Sequence, residues 1–214
     1  LAARGPFFGS SQERLGFSDH RSRQDVSRDP AIVRRLLAAY HKAKKDEKTA
    51  PELYRMRGEW EHILEVEYAA FLRLLRSGDE PGLASMLQNF CRNECSRGLA
   101  MSGHFVTRKR RPGYGFTYIR DFNEHYAQWK KALQRDIPEG DLVFPWVGNP
   151  VGMMTGSGVV PYVNMRHRYY ADRILELAAG RPASVVEIGG GFGGLGYFLL
   201  KDAPSRLRYA NFDL

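Results

Sequence analysis

Only two cysteines, Cys91 and Cys95, occur in the 214 residues. They lie four apart in a helical stretch, with no third cysteine for an iron–sulfur site and no paired histidines nearby for zinc. No metal site is expected, and buried or half-buried free thiols fit a reducing cytoplasm. No apolar run approaches the length of a transmembrane helix, and no signal-peptide hydrophobic region is visible. Internal repeats and low-complexity tracts are lacking as well. The composition, 43% hydrophobic and 26% charged, is that of an ordinary soluble globular protein.

Acidic residues are in deficit, leaving a net charge of +8. Residues 1–150 hold 25 Lys/Arg against 19 Asp/Glu, and residues 151–214 hold 7 against 5, so most of the excess lies upstream. Its densest point is Arg108-Lys109-Arg110-Arg111, followed by Pro112-Gly113-Tyr114-Gly115-Phe116. A solvated basic loop is one reading of this run. Contact of Arg108, Arg110 and Arg111 with an anionic sugar carrying a nucleotide or lipid diphosphate is another. Nucleic-acid binding ranks below both, and no nucleic-acid partner is expected.

Residues 1–28 read as an irregular, flexible arm. Asp29-Pro30 is an N-cap followed by proline, opening a helix to about Lys45. Thr49-Ala50-Pro51-Glu52 has capping-box spacing and predicts a long helix ending near Ser77-Gly78. Trp60, Ile63, Leu64, Tyr68, Phe71, Leu72 and Leu75 would form its inward face. A third helix is predicted from Pro81 to Arg97. Residues 99–119 read as a hairpin or extended loop. Asp121-Phe122-Asn123-Glu124 again has capping-box spacing, for a helix to about Arg135. Residues 29–136 thus form a helical N-terminal region. The stretch 137–161, rich in Gly and Pro, reads as a loop-like connector of the kind that is functional or mobile.

From residue 162 the pattern changes. A helix is predicted over Val163 to Ala179, then an apolar strand over Ser184 to Ile188. Gly189-Gly190-Gly191-Phe192-Gly193-Gly194 follows, then a helix to about Lys201 and a second strand over Leu207 to Phe212, ending in Asp213. This is the first βαβ unit of a Rossmann-like α/β fold, in which glycines let a nucleotide-like cofactor approach the backbone at a helix N-terminus. Glycines 189, 191 and 194 also satisfy the dinucleotide pattern. Two details favour S-adenosylmethionine. Glu187 can receive the ammonium of a methionine moiety, whereas it would lie near the anionic pyrophosphate of NAD. Asp213 stands 24 residues after Gly189, a little beyond the roughly 20 of the dinucleotide fingerprint. Because two parallel strands do not make a stable sheet, the natural protein is expected to continue past Leu214.

Val186-Glu187-Ile188-Gly189-Gly190-Gly191-Phe192-Gly193 resembles motif I of class I S-adenosylmethionine-dependent methyltransferases. Asn211-Phe212-Asp213-Leu214 resembles the second-strand end of small-molecule O-methyltransferases. With Gly148-Asn149-Pro150 and Asn164-Met165-Arg166-His167-Arg168-Tyr169-Tyr170, the run is similar to the sugar O-methyltransferases of bacterial polysaccharide and glycoconjugate loci. The resemblance implies a cofactor site of Glu187, Gly189, Gly190, Gly191, Phe192, Gly193 and Asp213, with Arg166 and Tyr169 as possible covers and Asn149 in a substrate loop. It also implies a carbohydrate or glycoconjugate acceptor. Tyr169 and Tyr170 could equally pack their helix, and Asn149 could be a turn residue. Losing a hydroxyl proton to a base makes histidines the first suspects. His167 is the best placed, ahead of His104 and His125, although a packed or surface histidine is the commoner role. Two other functions stay open: an NAD-dependent oxidoreductase, and a helical interaction protein with a non-catalytic Rossmann remnant.

Overall fold

The computed structural model of the chain describes residues 19–21, 29–52, 55, 58–96, 114–133 and 137–212. Over these residues the fold is mixed α/β, mostly helical with a few small strands. Helix α1 (Pro30–Thr49) starts as predicted, with the Asp29 carboxylate accepting from the Ala31 N–H at 2.8 Å. Thr49 is its last residue, its hydroxyl donating back to the Asp46 carbonyl at 3.1 Å, so the expected capping box does not form. The long helix predicted next is two: α2 (Glu59–Val66) and α3 (Ala69–Ser77). Between them the Glu67 and Tyr68 N–H groups both donate to the Ile63 carbonyl, which ends α2 and turns Tyr68 inward. The break splits the expected apolar stripe, and Trp60 is left 45% exposed. Helix α4 (Glu80–Gln88), capped by Asp79, gives way to 3-10 turns at Phe90–Arg92 and Glu94–Ser96. Val33, Leu37, Leu75 and Leu83 form the core of α1, α3 and α4.

Helix α5 (Tyr114–Leu133) contains Phe116, Tyr118 and Ile119, which were expected in a hairpin, and places Asp121 inside the helix. Tyr118, Ile119, Phe122 and Tyr126 recur at helical spacing on one face and pack into a common core, which overrides their β propensity. The rest of the expected hairpin lies outside the described residues. The connector is also not a loop. It holds a short helix α6 (Glu139–Leu142) and a hairpin of β1 (Met153–Thr155) and β2 (Gly158–Val160). Leu142, Met153 and Val160 are fully buried against Phe122, Tyr126, Ile137 and Met165. A Cβ on Gly152 would lie 2.5 Å from the Val160 carbonyl carbon, so this glycine serves close approach inside the core.

The C-terminal elements fall within two residues of their predicted ends: α7 (Asn164–Ala178), β3 (Ala183–Ile188), α8 (Gly194–Asp202) and β4 (Leu207–Phe212). Strands β3 and β4 pair in parallel, Ala183 opposite Leu207 and Ile188 opposite Phe212. Val185, Leu207 and Tyr209 pack inward on Ala171, Phe198, Leu199 and Ala203. The other face is bare among the described residues, with Val186 62%, Ile188 86% and Phe212 63% exposed. No helix among the described residues is long and apolar enough to cross a membrane.

Buried Arg168 fastens α7 to α8. Its guanidinium bonds Asp172 one turn along α7 and Asp202 at the end of α8, and lies 5.7 Å from the centre of the Phe198 ring. Burial alone would lower its pKa, but its hydrogen bonds to Asp202 and Asp172 raise it above the usual arginine value. Arg168→Met would leave two carboxylates facing each other in the seam. We expect it to cost about 3–5 kcal/mol in urea unfolding at unchanged m-value. A loss under about 1 kcal/mol would mean that apolar packing alone holds the seam.

Candidate functional site

Strand β3 runs out at Ile188 into a turn built from glycine. The Gly189 N–H donates to the Phe212 carbonyl at 2.8 Å, extending the ladder by one bond. The Gly193 N–H donates to the Gly190 carbonyl at 3.0 Å, closing the turn. Gly189, Gly191 and Gly193 hold φ of 71°, 54° and 80°, a region that side chains rarely enter. Among the described residues nothing lies within 4 Å of where a Cβ would sit on Gly189 or Gly193, so the turn is open at both positions. Helix α8 starts from Gly193 without a side-chain cap, leaving its first N–H groups and positive dipole end facing the turn.

The underside of the turn is crowded. A Cβ on Gly190 would lie 2.5 Å from Asn211 Oδ1 and 2.7 Å from Glu187 Oε2. The Gly190 N–H donates to Asn211 Oδ1 at 3.2 Å, and the Tyr209 hydroxyl donates to Glu187 Oε2. Glu187 is half-buried and stands opposite Asn211 in the parallel register. Burial first, and then the Glu187 hydrogen bond and charge, raise the Tyr209 pKa, so the phenol stays protonated. Tyr209 also packs on Gly196, where a Cβ would lie 2.5 Å from the ring carbon Cζ. Tyr209 does not stand out in the sequence, and Asn211 does so only as the first residue of the Asn211-Phe212-Asp213-Leu214 run, with no role of its own. Period-two alternation back from Asp213 is the one signal that puts both on a common face. The set suits a ligand with a cationic end for Glu187 and a body able to lie on bare backbone. S-adenosylmethionine fits that description.

Of the remaining expected cofactor residues, Phe192 sits in a seam with its ring centre 5.3 Å from Phe144 and 5.8 Å from His167. It anchors the turn to the connector and to α7. His167 packs over Gly194, where a Cβ would lie 2.5 Å from its Cε1. Its Nδ1 is buried without a hydrogen-bond partner among the described residues. Burial, and then the charge of Arg166, push its pKa down to about 4. His167 is therefore neutral at ordinary pH and a weak base, which favours packing over proton transfer. The Tyr169 ring lies 5.0 Å from Trp129 of α5 and packs against the core that α5 shares with the connector. Arg166 is exposed on α7. Asp213, Arg108, Arg110, Arg111 and His104 lie outside the described residues.

Asn149 is 1% exposed, with φ 57°. Its Oδ1 accepts from the His20 N–H at 2.8 Å, and its Nδ2 donates to Asn89 Oδ1 at 2.7 Å and Asp19 Oδ1 at 3.1 Å. Both ends of the amide are thus taken by the protein, the arrangement of a buried turn residue. Arg92 reinforces it, donating through Nε to the Asn149 carbonyl at 3.0 Å. The same knot packs His20 against Trp146, 4.6 Å between ring centres, so residues 19–21 of the expected flexible arm are docked. His125 Nδ1 bonds the Asp121 carbonyl at 3.1 Å, a local contact within α5. Cys91 and Cys95 are buried free thiols, pushed up by burial to about 12 and about 11. No cluster of three or more metal-ligating side chains occurs among the described residues.

Compared with protein-family models, curated proteins and solved structures, the chain matches none.

The buried neutral state of His167 carries a pH signature. Its folded pKa, about 4, lies below the ordinary 6.5, so the unfolded chain takes up the extra proton first. Stability contributed by the neutral ring is complete above 6.5 and is lost as the pH falls towards 4. Between pH 7 and pH 4 the parent should lose on the order of 2–3 kcal/mol more than His167→Asn in urea unfolding. Parallel pH curves for the two proteins would show that this ring is not buried uncharged.

Proposed function

We propose that the chain carries the cofactor-binding unit of an S-adenosylmethionine-dependent O-methyltransferase built on a Rossmann-like sheet. The observation that carries the reading is the carboxylate of Glu187 directly beneath an open glycine turn, at the carboxyl end of β3 and beside an uncapped helix N-terminus. In this reading Glu187 holds the ammonium of the methionine moiety, Gly189 and Gly193 leave room for the ligand body, and the α8 N–H groups face its anionic carboxylate. Asp213 takes the ribose hydroxyls. A carboxylate at position 187 disfavours NAD, whose pyrophosphate would have to sit against it.

S-adenosylmethionine supplies an electrophilic methyl group on a sulfonium. The task of the protein is to align an acceptor oxygen with that carbon and keep water out. The packed position of His167 and its lowered pKa favour a different group as the base that takes the acceptor proton. The proposed acceptor is a sugar hydroxyl of a glycan or glycoconjugate, anionic if Arg108, Arg110 and Arg111 contact it. This part rests on the sequence resemblance running from Gly148 to Gly191. Asn149 is a buried turn residue whose amide is taken by His20, Asn89 and Asp19.

Titration calorimetry on the full-length protein tests the cofactor assignment. S-adenosylhomocysteine should bind and NADH should not. Glu187→Gln should weaken the former by about 10- to 100-fold, the loss of a charge-assisted contact. Binding of NADH alone would point to an oxidoreductase. Binding of neither would leave a helical interaction protein with a Rossmann remnant.

A further inference from the structure

We infer that Tyr209 is a positioning residue for ligand specificity: its hydroxyl holds the Glu187 carboxylate in the one orientation that presents the free Oε1 to a cationic ligand end. This rests on the proposed cofactor reading and adds a residue to it.

The geometry leaves Glu187 little freedom. The Tyr209 hydroxyl donates to Oε2, Gly190 passes above the same oxygen, and the Asn211 amide stands beside it, fixed by the Gly190 N–H. Oε1 has no hydrogen-bond partner among the described residues. Tyr209 is in turn fixed from below. Its ring sits on Gly196, where any Cβ would collide, and it belongs to the core cluster containing Phe198 and Leu199. A long, rotatable glutamate is thereby tied through one hydroxyl to the rigid interior of β4 and α8. Pre-ordering of this kind removes the rotamer entropy that binding would otherwise cost. The raised pKa of Tyr209 keeps the phenol a donor at all ordinary pH values. Among the described residues, Glu187 is the one carboxylate that raises its pKa.

The variant that isolates the hydroxyl is Tyr209→Phe, which preserves the ring packed on Gly196. The probes are S-adenosylhomocysteine, which has the amino-acid end, and 5′-methylthioadenosine, which lacks it. In calorimetry on the full-length protein, Tyr209→Phe should weaken the first by about tenfold, the loss of one hydrogen bond to a charged group, and leave the second within about twofold. Adding Tyr209→Phe to Glu187→Gln should produce little further loss, because the phenol acts through the carboxylate. Equal weakening of both ligands, additive losses, or no change at all would overturn the inference. A measurement without ligand separates its failure from that of the cofactor reading. In NMR of ring-labelled tyrosine, Tyr209 should ionise later than the exposed phenols and move to lower pH in Glu187→Gln. An unshifted titration refutes the Tyr209–Glu187 link itself. A shifted one in a protein that binds neither ligand refutes the cofactor reading, and with it the role proposed for the link.

Discussion

The Arg168 guanidinium, closed off from water between Asp172 and Asp202, is the contact on which the C-terminal architecture depends. Helix α7 belongs to two cores at once. Met165 faces the cluster built by α5, α6 and the β1–β2 hairpin, while Ala171 faces the cluster under the β3–β4 sheet. Arg168 lies between them and ties this shared helix to the far end of α8. The near end of α8 is set by packing, because Gly194 and Gly196 admit His167 and Tyr209 at distances no side chain would allow. The helix that starts the candidate site is therefore held at both ends, by charge at Asp202 and by close approach at Gly194.

The connector contributes in a different way from a cover. Gly148, Pro150, Gly152 and Gly158 of the connector are buried, and the Asn149 amide gathers residue 20, residue 89 and the 148–150 turn into one knot. Phe144 then reaches Phe192 and Tyr197, so the connector supports the glycine turn from behind. Aromatic packing behind an open turn fixes the turn's position, as a preorganised ligand site requires.

Much of the site was legible in the sequence because its signals are local. Strand β3, the glycine turn, α8 and β4 each carry unambiguous punctuation, and β4 was placed at its observed ends. What was not legible depends on burial. The Gly148-Asn149-Pro150 turn has the same chemistry whether it faces water or, as here, accepts and donates inside the protein. Trp60, Tyr68 and Leu75 keep helical spacing across 66–69, so periodicity alone cannot show that the chain breaks at Tyr68. Tyr118 and Ile119 have strand propensities that a helical core contact overrides. Tyr209 and Asn211 were missed because their role comes from the register that sets β4 beside Glu187, a relation between residues more than 20 apart.

The central claim is that the open turn between β3 and α8 takes the amino-acid end of S-adenosylmethionine at Glu187. Its most direct test is a crystal structure of the full-length protein grown with S-adenosylhomocysteine. The ligand's ammonium should lie within hydrogen-bond distance of Glu187 Oε1, with its body across Gly189 to Gly193. A ligand bound with its amino-acid end away from Glu187, or absent at saturating concentration, would contradict it.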